Sequence, residues 1–166
     1  MEPSFVHIEA DKVPYWTENG LSFKLIAGEF QGRKSEVPTY STLYFIEIKS
    51  SKKQKVNIGN DLFGESALYI LEGSINSDGT NFGPKQILIA KVSSLCEFEM
   101  EENTTIYIFG GEAFPEERFI FWNFVATSPE LIEEAKQRWI NQEFPKIEGE
   151  TGYVPLPENK GFSIKK

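Results

Sequence analysis

Histidine and cysteine, the side chains most used to hold transition metals or attack substrates, occur once each in this 166-residue chain. A lone His7 cannot build a metal centre that needs several neutral imidazoles, and no Ser/His/Asp set can form except through it. Placed in a polar N-terminal segment, it reads as a surface residue. Cys96 has no partner for an internal disulfide. As a nucleophile it would need a base or a cationic neighbour, and its immediate sequence offers only Glu97, so it reads as a half-buried thiol. No apolar run approaches the roughly 20 residues needed to span a bilayer. The opening MEPSFVHIEADKVP lacks a basic segment followed by an apolar one. A cytoplasmic protein with no membrane association is the expectation.

Positive charge is also short. Lys and Arg number 17 against 25 Asp and Glu, a net charge of −8, which opposes nonspecific attraction to phosphate backbones. The basic clusters, Lys52, Lys53 and Lys55 and the closing Lys165 and Lys166, read as a solvated loop and a chain end. Direct nucleic-acid binding is thereby excluded as a primary role. No phosphate-cradling glycine pattern, internal repeat or low-complexity tract is present.

What the chain does have is aromatic residues, 14% of the total with 14 Phe, in a length that suits one domain with a real core. Residues 1 to 20 carry Pro3, Pro14 and Gly20 and predict an entry segment with a short strand around Phe5 to Ile8. Leu21, Phe23 and Leu25 alternate with Ser22 and Lys24, the period of a half-buried strand, and Gly28 and Gly32 then bracket a turn. Tyr40 to Lys49 alternates similarly and is rich in aromatic and β-branched residues. Further short strands are expected at Val56 to Ile58, within SALYILEGSI, and at Lys85 to Val92, Leu95 to Met100, Thr104 to Phe109 and Phe119 to Val125. The turns between them are marked by Gly, Asn and Asp.

One helix follows. Thr127 or Ser128 can cap it, Pro129 sits in its first turn, and Glu130 lies three residues after Thr127 as in a capping box. Leu131, Ile132, Ala135 and Trp139 recur at helical spacing. Glu130, Glu133 and Glu134 precede Lys136 and Arg138, the order that complements the helix dipole. Eight or nine short strands closed by one helix over about 128–141 predict an all-β protein, an antiparallel sandwich or barrel with the jelly roll among the candidates.

Four segments carry a family resemblance. LYILEGSI (68–75) resembles the cupin strand written YVLEG, and IFGGEAF (108–114) the LLGGEPL element of pirin-family cupins. WNFVATSPELIEEAKQRWINQEFPKIEGETGYVPLP (122–157) resembles the pirin C-terminal hallmark, and ENGLSFKLIAGEFQG (18–32) the opening of the same domain. The resemblance implies a single cupin-type jelly-roll barrel or sandwich with the helix packed on it. It divides the chain, one domain over 1–166, into an entry segment (1–20), a barrel (21–125), helix and returning tail (126–157) and a frayed end (158–166). The family is generally a bicupin, and the segments matched are those of its second barrel, so this chain is expected to be that barrel alone.

The resemblance also locates the chemistry. The family's flavonol (quercetin) dioxygenase activity and metal-sensing roles use an iron-type metal held by three His and a Glu of the first barrel. Counting back from Tyr69, the corresponding cupin positions here fall near Gly59 to Leu62 and at Glu65 or Ser66, with no histidine in any register. The second motif's histidine would fall in SSLCEFEMEENT, which has none. No cofactor, no metal ligand and no catalytic residue are therefore expected. Glu65, Tyr69 and Glu72 are the candidates for lining a small pocket, against core packing for Tyr69 and a strand-end carboxylate for Glu72. EMEEN (99–103) offers oxygens to a hard cation but lacks the Asp and Gly spacing of a calcium loop and reads as a turn. The expected role is binding or assembly, as a homodimer or with a separate N-terminal-type cupin chain. The alternative is a quercetin dioxygenase, or part of one, whose metal site another chain supplies.

Overall fold

Alternation of inward and outward side chains organises the first 113 residues of the computed structural model, which describes residues 5–90 and 97–157. The chain divides into two compact units, Met1–Ala113 and Phe114–Lys166. In the first, the larger sheet runs in the order β1 (Tyr15–Glu18), β2 (Leu21–Phe30), β4 (Leu43–Ser50), β11 (Thr104–Gly111), β6 (Glu65–Glu72) and β9 (Ile87–Ala90), with the short β3 (Arg33–Lys34) on β2. The smaller runs β5 (Gln54–Asn57), β10 (Glu97–Met100), β7 (Ile75–Ser77) and β8 (Thr80–Phe82). Every pairing between these strands is antiparallel. The result is a sandwich of two sheets, and among the described residues no ladder closes them into a barrel.

The core is the inward face of both sheets. Leu21, Phe23 and Leu25 from β2, Tyr44, Ile46 and Ile48 from β4, and Ile106 and Ile108 from β11 meet Val56, Ile75, Phe98 and Met100 of the smaller sheet. Each such side chain contributes roughly 1.5–3 kcal/mol by leaving water. Trp16 extends the core at one edge, stacked on Phe23 with ring centroids 5.1 Å apart.

Several boundaries differ from the sequence reading. Residues 5–9 are irregular rather than a strand, because they lie on no ladder that could take up their backbone groups, and the first regular element is a 3-10 turn at Ala10–Lys12. Tyr40 to Thr42 precede the strand they were expected to open. The run Phe119 to Val125 is two strands, β12 (Phe119–Phe121) and β13 (Phe124–Ala126), because Trp122 and Asn123 turn the chain back on itself. Leu95 and Cys96 lie outside the described residues.

Gly28 does not bound a turn but sits inside β2, just past a register shift between Leu25 and Ala27. Its φ is +79°, and a Cβ there would overlap the Leu43 carbonyl. Gly73, the glycine of the LEG motif, is also left-handed at φ +75° and lies against Thr104, whose hydroxyl bonds the Ser74 backbone. Glycine is required at both places by backbone conformation and by space.

In the second unit, α1 (Pro129–Ile140) is capped by Ser128, whose hydroxyl accepts the Leu131 N–H at 3.4 Å. Glu130 therefore stands at the second helical position and does not form the capping box with Thr127; its own backbone N–H and the Ser128 hydroxyl hold its carboxyl below the usual value. The helix ends on the left-handed Gln142, with Gln142 N–H bonded to Trp139 O and Glu143 N–H to Arg138 O, a Schellman arrangement. Its contacts within the unit are with the β12–β13 hairpin. Trp139 is the anchor expected of it: its ring meets Trp122 at 5.1 Å and Phe144 at 5.7 Å, and its Nε1 donates to the Val154 carbonyl at 2.8 Å. Ile132 is buried, whereas Leu131 is turned to solvent.

Substituting alanine at Gly28 is expected to cost at least ~2 kcal/mol, strain and overlap combined, against about 1 kcal/mol at Gly79, whose left-handed turn has open space around it. Urea unfolding of the two variants checks the difference.

Candidate functional site

The outward face of the larger sheet is built by the same alternation that fills the core. With Tyr44, Ile46 and Ile48 pointing in, Phe45, Glu47 and Lys49 of β4 point out. With Ile106 and Ile108 pointing in, Tyr107 and Phe109 of β11 point out. Register places these residues in rows. One row reads Lys24, Glu47, Tyr107, Tyr69, Ile87 from β2 to β9, and the next Ala27, Phe45, Phe109, Ala67, Ile89. The half towards β9 is wholly apolar or aromatic, and Ile87, Ile89 and Phe109 are 58%, 73% and 37% exposed. Phe45 packs on Tyr107 and Phe109 at 5.7 and 5.9 Å.

Charge within these two rows is confined to the β2 side, where Glu47, its side chain only 12% exposed, gathers three partners. Tyr107 donates its hydroxyl to Oε2 at 3.0 Å, and Lys49 and Lys24 bring ammonium groups to 3.2 and 3.9 Å of Oε1. Burial, reinforced by this bond and by the charges of Glu47 and Glu72, pushes the Tyr107 phenol above its ordinary value of 10.0. The face is therefore an apolar field edged by a fixed ionic cluster, an arrangement suited to covering by another surface.

The three candidate pocket residues are not gathered into a pocket. Glu65, Tyr69 and Glu72 all lie along β6, with Glu65 and Glu72 exposed at its two ends, roughly 20 Å apart at the rise of a strand. Tyr69 is half-buried in the outward row beside Tyr107. A register shift after Ile70 brings Glu72 opposite Thr105. Of the two residues that could stand at the family's carboxylate position, Glu65 is exposed opposite Gly111. Ser66 is buried and hydrogen-bonded to the Tyr44 hydroxyl, which also donates to the Phe63 carbonyl at 3.2 Å.

Gly59 to Asp61 form a 3-10 turn leading to the buried Leu62. A serine bonded to a tyrosine, among isoleucines and leucines, does not fit an iron-type metal, which needs imidazole and carboxylate donors. Among the described residues no three His, Cys, Asp or Glu come together as a metal-binding group. His7 lies exposed with Nε2 3.3 Å from Glu9. In EMEEN, Glu99 and Glu101 both bind the Lys53 ammonium, at 2.8 and 2.7 Å, and their hydrogen bonds hold the Lys53 pKa well above its usual value. Those carboxylates already have a cation. A cavity of about 180 Å³ lies between the sheets where Leu68 and Leu88 face Ile75 and Phe98. Its buried hydroxyl, Ser66, is the one already bonded to Tyr44.

Reading the strands as half-buried missed the outward aromatic face. Its signal is that Leu43 to Ile46, Ile106 to Phe109 and Ile87 to Ala90 are apolar at every position, not every second one, the pattern of a sheet apolar on both sides.

Among known proteins, the pattern of the pirin C-terminal cupin domain matches residues 44–145. A "Pirin-like protein" of Caulobacter vibrioides is 35% identical over 162 residues, 95% of this chain and 55% of that protein. A Pseudomonas aeruginosa protein provisionally named a quercetin 2,3-dioxygenase is 27% identical over 138 residues, 82% of this chain and 43% of that one. The crystal structure of a quercetin 2,3-dioxygenase from Acinetobacter baumannii superposes with a TM-score of 0.76 at 22% identity, covering 87% of this chain and 50% of that chain. The chain thus spans about half the length of the relatives it matches, and the structural likeness speaks for the fold. Among the described residues no helix is long and apolar enough to cross a membrane.

Replacing Glu47 by Gln is expected to let Tyr107 ionise at lower pH, read as tyrosinate absorbance in an alkaline titration. The sign for stability follows. A phenol whose folded pKa is raised contributes stability in full below its ordinary value and loses it as pH rises through the folded value. The variant should therefore lose stability less steeply on the alkaline side.

Proposed function

We propose that this chain, which belongs to the pirin family as a C-terminal cupin domain, acts by binding rather than by chemistry. Its partner is a second cupin barrel, supplied by another copy or by an N-terminal-type cupin chain. The observation that carries this reading is the outward face of the larger sheet, whose Ile87, Ile89 and Phe109 stand exposed beside a half-buried Tyr69 and Tyr107. A sheet apolar on both sides is the condition of a sheet meant to be covered on both. The relatives' extra length supports the choice of occupant, since about half of each lies outside the matched region.

The domain is metal-free on this reading. Support comes from the donor set: no histidine stands at the positions where the resemblance places the family's metal ligands, Gly59 to Leu62 and Glu65 or Ser66, and Ser66 is bonded to Tyr44. The names of the relatives raise flavonol oxidation as the rival. For this chain it requires a metal site contributed from elsewhere.

Light scattering over a concentration series, alone and with an N-terminal-type pirin cupin that carries its histidines, tests the assembly. A complex is expected, and Phe109→Glu should weaken it at least tenfold, about 1.4 kcal/mol, with thermal stability unchanged. A clean monomer at high micromolar concentration that also ignores the second cupin would overturn the proposal. Metal analysis and a flavonol oxidation assay with and without added iron test the other half: neither stoichiometric metal nor turnover is expected of the chain alone. Metal bound between the sheets together with oxidation would establish the rival.

A further inference from the structure

A row of small residues crosses the inner face of the larger sheet. Register sets Gly110 of β11 opposite Ser66 of β6, and Ser66 opposite Ala90 of β9. The neighbouring inward row is Ile108, Leu68 and Leu88, all aliphatic. Gly110 is held to glycine, because a Cβ there would strike the Tyr44 hydroxyl where it reaches Ser66. Bulk in one row and space in the next leave the cavity of about 180 Å³ between the sheets, with Ile75 and Phe98 of the smaller sheet across from the aliphatic row. Leu68, Ile75, Phe98 and Ile108 are each more than nine-tenths buried, so its walls are core side chains and not a surface depression.

The cavity has one polar end. Ser66 is 3% exposed, and Tyr44 donates its hydroxyl to the Phe63 carbonyl at 3.2 Å, so in the Ser66–Tyr44 bond the serine is the donor. The serine oxygen is left able to accept. Ser77, the other inward hydroxyl, is only half-buried. Glu97 also borders the cavity, but alternation with the buried Phe98 turns its carboxylate to the outer face of the smaller sheet, where Asn57 donates to it at 3.4 Å.

We infer that this cavity is a binding site for a single-ring aromatic molecule carrying one hydroxyl or N–H donor, a phenol in chemical class, its ring between the aliphatic row and Phe98 and its donor on Ser66. Size sets the limit of one ring. An apolar cavity of about 150 Å³ holds benzene, whereas drug-sized ligands, three-ring flavonols among them, take pockets of roughly 300–1,000 Å³. The site is therefore separate from the flavonol oxidation that the relatives' names raise, and it does not depend on the assembly role.

Methyl NMR of the full chain, titrated in turn with phenol, benzene and quercetin, tests the site. Phenol and benzene are expected to shift the methyls of Leu68, Leu88, Ile75 and Ile108 saturably, and quercetin to leave them in place. Ser66→Ala should weaken phenol roughly fivefold, the effect of one hydrogen bond, and leave benzene unchanged. Ala90→Leu, which fills the small row, should weaken both rings at least tenfold. If Ser66→Ala folds poorly, nuclear Overhauser contacts on the unaltered chain decide the same point, with the ortho protons of phenol expected at the Ser66 methylene. Absence of saturable shifts in those methyls, or binding of both rings undiminished by Ala90→Leu, overturns the site. Phenol that ignores Ser66→Ala, or lies with its hydroxyl away from Ser66, overturns the ligand class, and quercetin shifting the same methyls overturns the limit of one ring.

Discussion

The position of β11 between β4 and β6 is the constraint on which the first unit depends. Its eight residues pair with both neighbours along nearly their whole length, so its alternation sets the alternation of the sheet. Ile106 and Ile108 are fixed inside, and Tyr107 and Phe109 are fixed outside. The inner set meets the smaller sheet in a core where Tyr44 is bonded to Ser66 and Thr104 to the Ser74 backbone. A one-residue slip would exchange the two sets, burying Tyr107 and exposing isoleucines, at a cost no local interaction could offset.

The motif glycines belong to the same frame. Gly28 lets β2 pass close to Leu43, and Gly73 lets the chain leave β6 against Thr104. These are demands of backbone conformation, which are independent of whether three His, Cys, Asp or Glu side chains come together, as none do among the described residues. The scaffold and the metal site draw on different residues. Aliphatic side chains fill the space between the sheets, and the face that remains distinctive is the outer one.

The second unit shows the converse economy. A hairpin and a three-turn helix are joined by an aromatic cluster around Trp139, with Trp122 held in a left-handed turn and the tail fastened by the Trp139 indole to Val154. Of the helix's side chains only Ile132 is buried. The structure here is held by stacked and edge-on rings and by well-formed helix ends rather than by an enclosed core.

What the sequence determined by itself is whatever depends on near neighbours in the chain. The strand alternation, the helix and its Trp139 anchor, and the family motifs were all legible, because propensity, capping and backbone conformation act over a few residues. Where local signals competed they misled. Gly28 read as a turn although its role is set by Leu43, fifteen residues on, and Phe5 to Ile8 read as a strand without a partner. Only the tertiary structure decided that Glu65, Tyr69 and Glu72 lie spread along one strand, that Glu99 and Glu101 share Lys53, and that Glu47 meets Tyr107 sixty residues away. Those facts depend on strand register, which is fixed when the inward faces pack, and no short stretch of sequence records it.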